Sequence, residues 1–364
     1  MTRDRKTRVL IVDDSAIVRK ILTEALASEP DLEVVGTAPD PFIARDKIVA
    51  LRPDVLTLDI EMPRMDGLTF LRKLMRHHPM PVIVISSLGQ ASCHAALESL
   101  RIGAVEVLAK PGGPYSVGDL RLNLASSIRA AAVARVRRIV SDSPAAAAAS
   151  PAGFPAPNPV SAVRPLHAAK LIAIGASTGG TEAIREVLMR LPPQSPPIVI
   201  AQHIPPVFSL AFARRLNEIC QVEVREAMDG DEARPGLALV APGDRHMLLV
   251  GSGHGYRVAV RDGPRVCWQR PSVDVLFTSV AEAVGKDALG AILTGMGADG
   301  AHGLLRMKQA GARTIAQDEA TCVVFGMPRE AIRLGATDRV LPLDRIAAAI
   351  CGQIGCVAKP ALSA

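Results

Sequence analysis

Two groups of residues in this chain have the types and spacing to do chemistry. The first is centred on Gly175-Ala176-Ser177-Thr178-Gly179-Gly180. It fits G-x-S-x-G, in which a serine stands on a sharp turn between a strand and a helix. Glycines flank such a serine because the turn leaves no space for side chains. The amides that follow, at a helix N-terminus, can stabilise an oxyanion. A Gly-rich turn of this kind can also bind phosphate, so the motif alone leaves both chemistries open.

A serine nucleophile needs a base, and the base needs an orienting acid. The chain has eight histidines. His77 and His78 fall at a helix end, His94 on a surface segment, His167 in a linker, His254 in a turn and His302 at a helix start. His203 ends the run PPIVIAQH, on the sheet edge expected for Ser177, and is the best base by position. His246, after LALVAPGD, is second. For the acid, Asp299 follows the run Ala288–Leu293 in a Gly-rich loop, although a lone Asp there also reads as a helix N-cap. Asp231, Asp244 and Asp262 fall in turn contexts, where Asp serves local hydrogen bonding. The order Ser177, His203, Asp299 differs from the Ser–acid–His order of lipase-type α/β-hydrolases and speaks against that class.

The second group comprises Asp13 and Asp14 after one apolar run, Asp59 ending another, Ser86 ending a third and Lys110 following a fourth. Each alone reads more readily as a solvated strand end. Together they would converge, because the carboxyl ends of strands in an open parallel sheet share one edge. Two like charges about 4 Å apart repel by up to ~4 kcal/mol at an effective dielectric near 20. Such a cluster wants a cation, and all-oxygen ligands with room for water and phosphate oxygens suit Mg²⁺. An aspartate beside Mg²⁺ and a lysine can attack a phosphoryl group.

The elements that must position these groups are legible. Five β-branched runs, Arg8–Val12, Leu32–Val35, Val55–Leu58, Pro81–Ile85 and Val105–Leu108, alternate with helical patterns. That predicts a five-stranded parallel sheet covered on both faces, of flavodoxin-like order 2-1-3-4-5. From Lys170 a second alternation runs through Leu171–Gly175, Pro197–Ala201, Leu237–Val240, Ala288–Leu293 and Thr314–Ala316, with a helix over Glu182–Arg190. It predicts a second α/β domain with a mainly parallel sheet. Between them, residues 141–165 form an Ala/Pro/Ser tract with almost no large apolar side chains, read as a tether. The Ala- and Arg-rich stretch Leu120–Val140 reads as a helix whose basic end is either solvated or a docking surface. The expected division is 1–125, 126–167 and 168–364.

Composition narrows the class. The chain has 364 residues, which at ~150 residues per domain suits two domains. Aromatics are 3%, with a single Trp, which is poor material for stacking on nucleic-acid bases. The net charge of +6 is concentrated between residues 126 and 169, where five basic groups face one acidic group. Residues 1–125 balance at 16 and 16, so neither domain has a strong field for nucleic acid. Apolar runs fall short of the ~18 residues a membrane span needs, so no membrane insertion is expected. The charged start, Met1 to Arg8, is not a secretory signal. Six cysteines without a CxxC pair suit a reducing cytoplasm.

VDDS (12–15), LTLDIEMPRMDG (56–67), VISS (84–87) and AKP (109–111) resemble the receiver domain of two-component response regulators. The resemblance implies that Asp59 is the phosphoacceptor and that Asp14 and Asp59, with Asp13 nearby, hold Mg²⁺. It makes Ser86 the switch hydroxyl and Lys110 the phosphoryl contact. The aromatic residue that receivers often carry three positions before the lysine is replaced by Val107, so coupling by an aromatic flip is not expected. IGASTGGTEAI (174–184), AQHIPP (201–206), APGDRHM (241–247), LTGMGADGA (293–301) and Gln317–Pro328 are similar to the catalytic domain of CheB-type chemotaxis methylesterases.

That resemblance implies Ser177 as nucleophile, His203 as general base and Asp299 as orienting acid, with no cofactor for the esterase. Thr178 and Met296 would lie near the active site, the Met296 main chain contributing to the oxyanion site. The implied substrates are glutamate γ-methyl esters on methyl-accepting chemoreceptors, with deamidation of receptor Gln in some members. A sensor histidine kinase would be the phosphodonor, and the unphosphorylated receiver would cover the catalytic face. A long tether lowers the effective concentration of one domain for the other and would weaken that block. Two rivals are a DNA-binding response regulator, against which the second half shows no helix-turn-helix, and a receiver-controlled hydrolase or amidase with another substrate.

Overall fold

The computed structural model describes residues 5–87, 89–110, 117–136, 169–253 and 255–356. The tether 141–165, His167 and His254 lie outside the described residues.

The N-terminal half alternates β1 (Thr7–Val12), α1 (Ala16–Ala27), β2 (Leu32–Ala38), α2 (Pro41–Leu51), β3 (Val55–Asp59), α3 (Gly67–His77), β4 (Val82–Ser86), α4 (Gln90–Ile102), β5 (Glu106–Ala109) and α5 (Val117–Ala132). The sheet order is β2-β1-β3-β4-β5 with every pairing parallel, as the alternation predicts. The strands read as continuous apolar runs because both faces are covered. β3 and β4 are buried along their whole length. Side-chain caps start the first two helices: Ser15 accepts from the Val18 amide, and Asp40 from those of Phe42 and Ile43. The helix expected over Leu120–Val140 ends at Ala132, earlier than its Ala-rich composition suggests. Arg135, just past it, is tied to the other half of the chain.

The C-terminal half carries β6 (Leu171–Ala176), α6 (Gly180–Leu188), β7 (Ile198–Gln202), α7 (Pro206–Ile219), β8 (Glu223–Glu226), β9 (Glu232–Ala233), β10 (Leu237–Val240), β11 (His246–Ser252), β12 (Gly255–Arg261), α8 (Val273–Val284), β13 (Ala288–Ile292), α9 (Ala301–Gln309), β14 (Arg313–Gln317), α10 (Met327–Arg333), β15 (Arg339–Leu341) and α11 (Leu343–Ile354). Seven strands form one parallel sheet, β15-β14-β13-β6-β7-β10-β8. A small antiparallel sheet, β11-β12-β9, stands beside it. Alternate residues of β6 point to opposite faces: Ile172 and Ile174 pack in one apolar layer, Leu171 and Ala173 in the other.

The chain builds outward from β6 on one side, then returns to place β13, β14 and β15 on the other. The connection therefore reverses beside β6, and such a switch point is where parallel α/β sheets bind ligands. The halves also pack together. Phe208 of α7 is fully buried within an apolar cluster otherwise drawn largely from the receiver. Leu97 of α4 joins a core layer of the C-terminal sheet.

Candidate active site and phosphoacceptor pocket

The three central strands of the larger sheet end side by side, and each delivers one member of a hydrogen-bonded chain. Ser177 follows β6, His203 follows β7 and Asp299 lies in the loop after β13. His203 Nδ1 is 3.0 Å from Ser177 Oγ, and His203 Nε2 is 2.7 Å from Asp299 Oδ2. The glycines around Ser177 are explained by contact. A Cβ on Gly175 would come within 2.1 Å of Val273 Cγ1, and one on Gly179, at φ 76°, within 2.6 Å of Val323. The same closeness holds across the strands, where a Cβ on Gly295 would meet Ser177 Cβ at 2.7 Å.

Asp299 is not a helix N-cap for the helix that follows it; Gly300 stands at that position of α9. Instead Asp299 reaches the start of α8. Its Oδ1 accepts from Ser272 Oγ at 2.7 Å and from the Asp274 amide at 3.0 Å, and its Oδ2 accepts from the Val273 amide at 2.7 Å. Burial opposes ionisation of this carboxyl. The bonds from His203, Ser272 and Val273 outweigh burial and hold its pKa below the usual carboxylate range. The acid is thus an anion aimed at one imidazole nitrogen. With the proton on Nε2 facing Asp299, Nδ1 is left to accept from Ser177. The set can take a proton from the serine hydroxyl and return it to a leaving group.

His246, the second candidate base, is occupied elsewhere. Its Nε2 lies 2.9 Å from the Pro264 carbonyl, and its Nδ1 accepts from the Ser272 amide at 3.2 Å. It braces the α8 start that holds Asp299. The sequence reasoning also missed Gln202 and Thr294. Buried Gln202 donates to the carbonyls of Ser177 and His203. The Thr294 carbonyl accepts from the Ser177 amide at 3.0 Å, and its hydroxyl donates to the Thr178 carbonyl at 3.0 Å. Position 202 in the strand-end triplet AQH was the available signal for the first; nothing in the pattern marked the second.

A cavity of about 440 Å³ opens at this edge. Ser177, Thr178, His203 and Met296 line one side. Glu106 and Val107 of β5 line the other, with Arg265 and Arg270 also on the wall. Thr178 Oγ1 is 3.0 Å from Glu106 Oε2. Burial pushes the Glu106 carboxyl up, against the opposing hydrogen bonds from Thr178 and Ser127 and the charge of His203.

The receiver residues also converge. Oxygens of Asp13, Asp14 and Asp59 lie within 4.8 Å of one another, a span suited to one cation. Lys110 Nζ is 2.7 Å from Asp59 Oδ2 and 3.3 Å from Asp13 Oδ2. Asp13 Oδ2 is buried, and among the described residues its partner is the Lys110 ammonium alone, so it keeps room for a hard cation. Burial raises the pKa of Asp59 to about 6, and the Asp13 charge adds to this against the bond from Lys110. Burial also raises Asp13, against the Lys110 charge. The Ser86 hydroxyl is buried at the end of β4, where it donates to the Ser92 carbonyl at 3.5 Å. Among the described residues, no helix is long and apolar enough to cross a membrane.

Comparison with known proteins adds the lineage. Residues 172–350 match the CheB methylesterase model, and residues 9–118 match the response regulator receiver domain model. A protein-glutamate methylesterase/protein-glutamine glutaminase 2 of Syntrophus aciditrophicus is 57% identical over 94% of this chain and 97% of that one. A protein of the same designation, numbered 4, from Anaeromyxobacter dehalogenans is 54% identical over 94% of each. The crystal structure of the Thermotoga maritima CheB methylesterase catalytic domain is 38% identical over 50% of this chain and 97% of that one, with a TM-score of 0.49. With both halves matched and identity above half along almost its whole length, the chain belongs to the receiver-linked CheB methylesterase family.

Proposed function

We propose that this protein hydrolyses γ-methyl esters of glutamate on the cytoplasmic helices of chemoreceptors, releasing methanol, and deamidates receptor Gln by the same steps. The observation that carries the reading is the Ser177–His203–Asp299 chain of hydrogen bonds at the switch point. His203 Nδ1 takes the Ser177 proton as Oγ attacks the ester carbonyl. The proton passes to the leaving methoxy group, or to the amide nitrogen of a Gln, and methanol or ammonia departs. Water, deprotonated by the same nitrogen, then hydrolyses the acyl-enzyme to Glu. Asp299 holds the ring and balances its charge. The main chain at Thr178 and Met296 borders the place where the oxyanion forms.

Asp59 is the phosphoacceptor in this reading, and a sensor histidine kinase is the donor. Asp14 and Asp59, with Asp13, would hold Mg²⁺, which neutralises the attacking carboxylate and the phosphoryl oxygens. Lys110 holds the Asp59 carboxylate, and the Ser86 hydroxyl is the switch group. The unphosphorylated receiver lies across the catalytic cavity, and phosphorylation relieves that cover. The reading puts the protein in the cytoplasm, where receptor helices and kinase meet.

The test is methanol release from methylated chemoreceptor membranes, with and without acetyl phosphate and Mg²⁺. The expected result is release that rises with the phosphodonor and is absent in Ser177→Ala. No release from folded protein whose Ser177 still reacts with a fluorophosphonate would keep the serine hydrolase and remove the receptor substrate.

A further inference from the structure

A carboxylic acid sits in the catalytic cavity, and it comes from the other half of the chain. Glu106 opens β5, and its Oε2 lies 3.0 Å from Thr178 Oγ1. Ser127 on α5 and His203 are near enough to act on the same carboxyl. Glu106, Ser177 and His203 line the same cavity. Thr178, next in the chain after the serine, is itself buried and is held from below by the Thr294 hydroxyl on its carbonyl. Its hydroxyl is therefore aimed by the framework.

A carboxyl in such a place requires a reason. Burying an acid is costly unless hydrogen bonds replace its water. The interface beside it is built in part from apolar side chains, Phe208 and Val107 among them. An aliphatic side chain at 106 would close it at lower cost. What Glu106 finds instead is a donor already placed beside the nucleophile.

We infer that Thr178 Oγ1 marks the seat of the substrate's glutamyl γ-carboxyl group, and that Glu106 fills this seat as an internal copy of the reaction product. The inference rests on the proposed methylesterase reading, since a glutamate side chain is what ester hydrolysis leaves behind. The serine attacks the same carbon that later bears the product carboxylate. An oxygen of that group must then lie close to the residue after the serine. The receiver thus closes the enzyme with the side chain the enzyme makes. Thr178 is in this view a substrate-binding residue, and Glu106 competes with glutamyl side chains for it.

The test uses the unphosphorylated full-length chain and the rate at which a fluorophosphonate labels Ser177. Glu106→Ala should label about tenfold faster, the scale of one lost hydrogen bond. The blocked dipeptide analogue Nα-acetyl-glutamate N-methylamide should slow labelling of Glu106→Ala and leave the wild type nearly unaffected. Adding Thr178→Val to Glu106→Ala should abolish that protection. Arg215→Ala provides the comparison, because Arg215 pairs with Glu98 across the same interface at 3.5 Å, away from the seat. It should speed labelling by less than about threefold, as an ion pair of this length is weak. Equal acceleration by Arg215→Ala and Glu106→Ala would overturn the inference, as would unchanged labelling in Glu106→Ala. Faster labelling that the glutamate analogue does not slow would overturn the product copy. If Ser177 labels in no variant, the nucleophile assignment falls, and the inference falls with it.

Discussion

The imidazole of His203 is bound on both sides, by Ser177 on Nδ1 and by Asp299 on Nε2, so its tautomer is set by the acid. Asp299→Asn would present an amide that can donate to Nε2 and leave the proton on Nδ1, facing the serine. In the serine-protease triad this change costs about 10⁴ in kcat. A loss of about 10³–10⁴ in methanol release, with KM little changed, is expected here; a loss below tenfold would remove Asp299 from the mechanism. Asp59 poses a different problem, because burial raises its pKa to about 6. A carboxyl raised in the fold stabilises it fully only below the unfolded pKa near 4, and that contribution is lost as pH rises through 6. In EDTA, Asp59→Asn should therefore stabilise the protein by about 1–3 kcal/mol at pH 8 and by about half as much at pH 5. Denaturant midpoints that shift equally at both pH values would contradict this. Ser177, His203, Asp299 and the five receiver residues were legible because each combines a reactive side chain with a strand end. Ser272, Gln202 and Thr294 were not, because they act through hydrogen bonds to residues up to some 116 positions away. Their residue types are common and their motif contexts silent.

At the scale of elements, the site depends on how closely α8 approaches β6. Val273, the first residue of α8, gives its amide to Asp299 and presses its side chain against Gly175. Gly175→Ala would drive a methyl into that stiff, β-branched side chain and lift the α8 start from the acid. The expected cost is about 1–3 kcal/mol of stability, with a fall in kcat as Asp299 loses the Val273 amide. A variant with reduced stability but wild-type kcat would show that the α8 start tolerates the shift. The parallel strands were readable because two-sided burial writes them as unbroken apolar runs. β8 (EVRE) was missed because it is a charged edge strand, and β15 because it has three residues. The hairpin β11–β12 was missed because it lies outside the main sheet, and its pattern ends in the Gly-rich turn GSGHG. His246 was thus placed after a strand rather than at the start of one.

For the whole molecule, the decisive contact is the one between its halves. Phe208 seats α7 in the receiver cluster, and Arg135 binds the Glu319 side chain and carbonyl and the Val323 carbonyl. The ion pairs are exposed and worth about 0–1 kcal/mol each, whereas removing a buried phenyl ring costs about 3–5 kcal/mol. Full-length Phe208→Ala should therefore release methanol without phosphodonor at a rate approaching that of the phosphorylated wild type. An unchanged basal rate would mean that this contact does not hold the cavity closed. In the basic stretch after α5, which the sequence left between a solvated end and a docking surface, Arg135 touches the other half, while Arg137 and Arg138 lie outside the described residues. The order of the two sheets was legible; their docking was not, because Phe208 and Glu106 look like ordinary helix and strand residues. One short strand finally joins both sites: Glu106 begins β5 in the catalytic cavity, and Lys110, just past its end, holds Asp59. Their backbones are separated by about 13 Å of extended chain. Coupling across such a link must run both ways, since a ligand that favours one arrangement at one end is favoured by it at the other. A trifluoroberyllate ion bound at Asp59 should thus bind more tightly when the cavity holds a glutamyl peptide, by the same factor that the ion strengthens the peptide. The receptor substrate would then act as an effector of the receiver, and an abundance of methylated receptor would prolong the signal that removes its methyl groups.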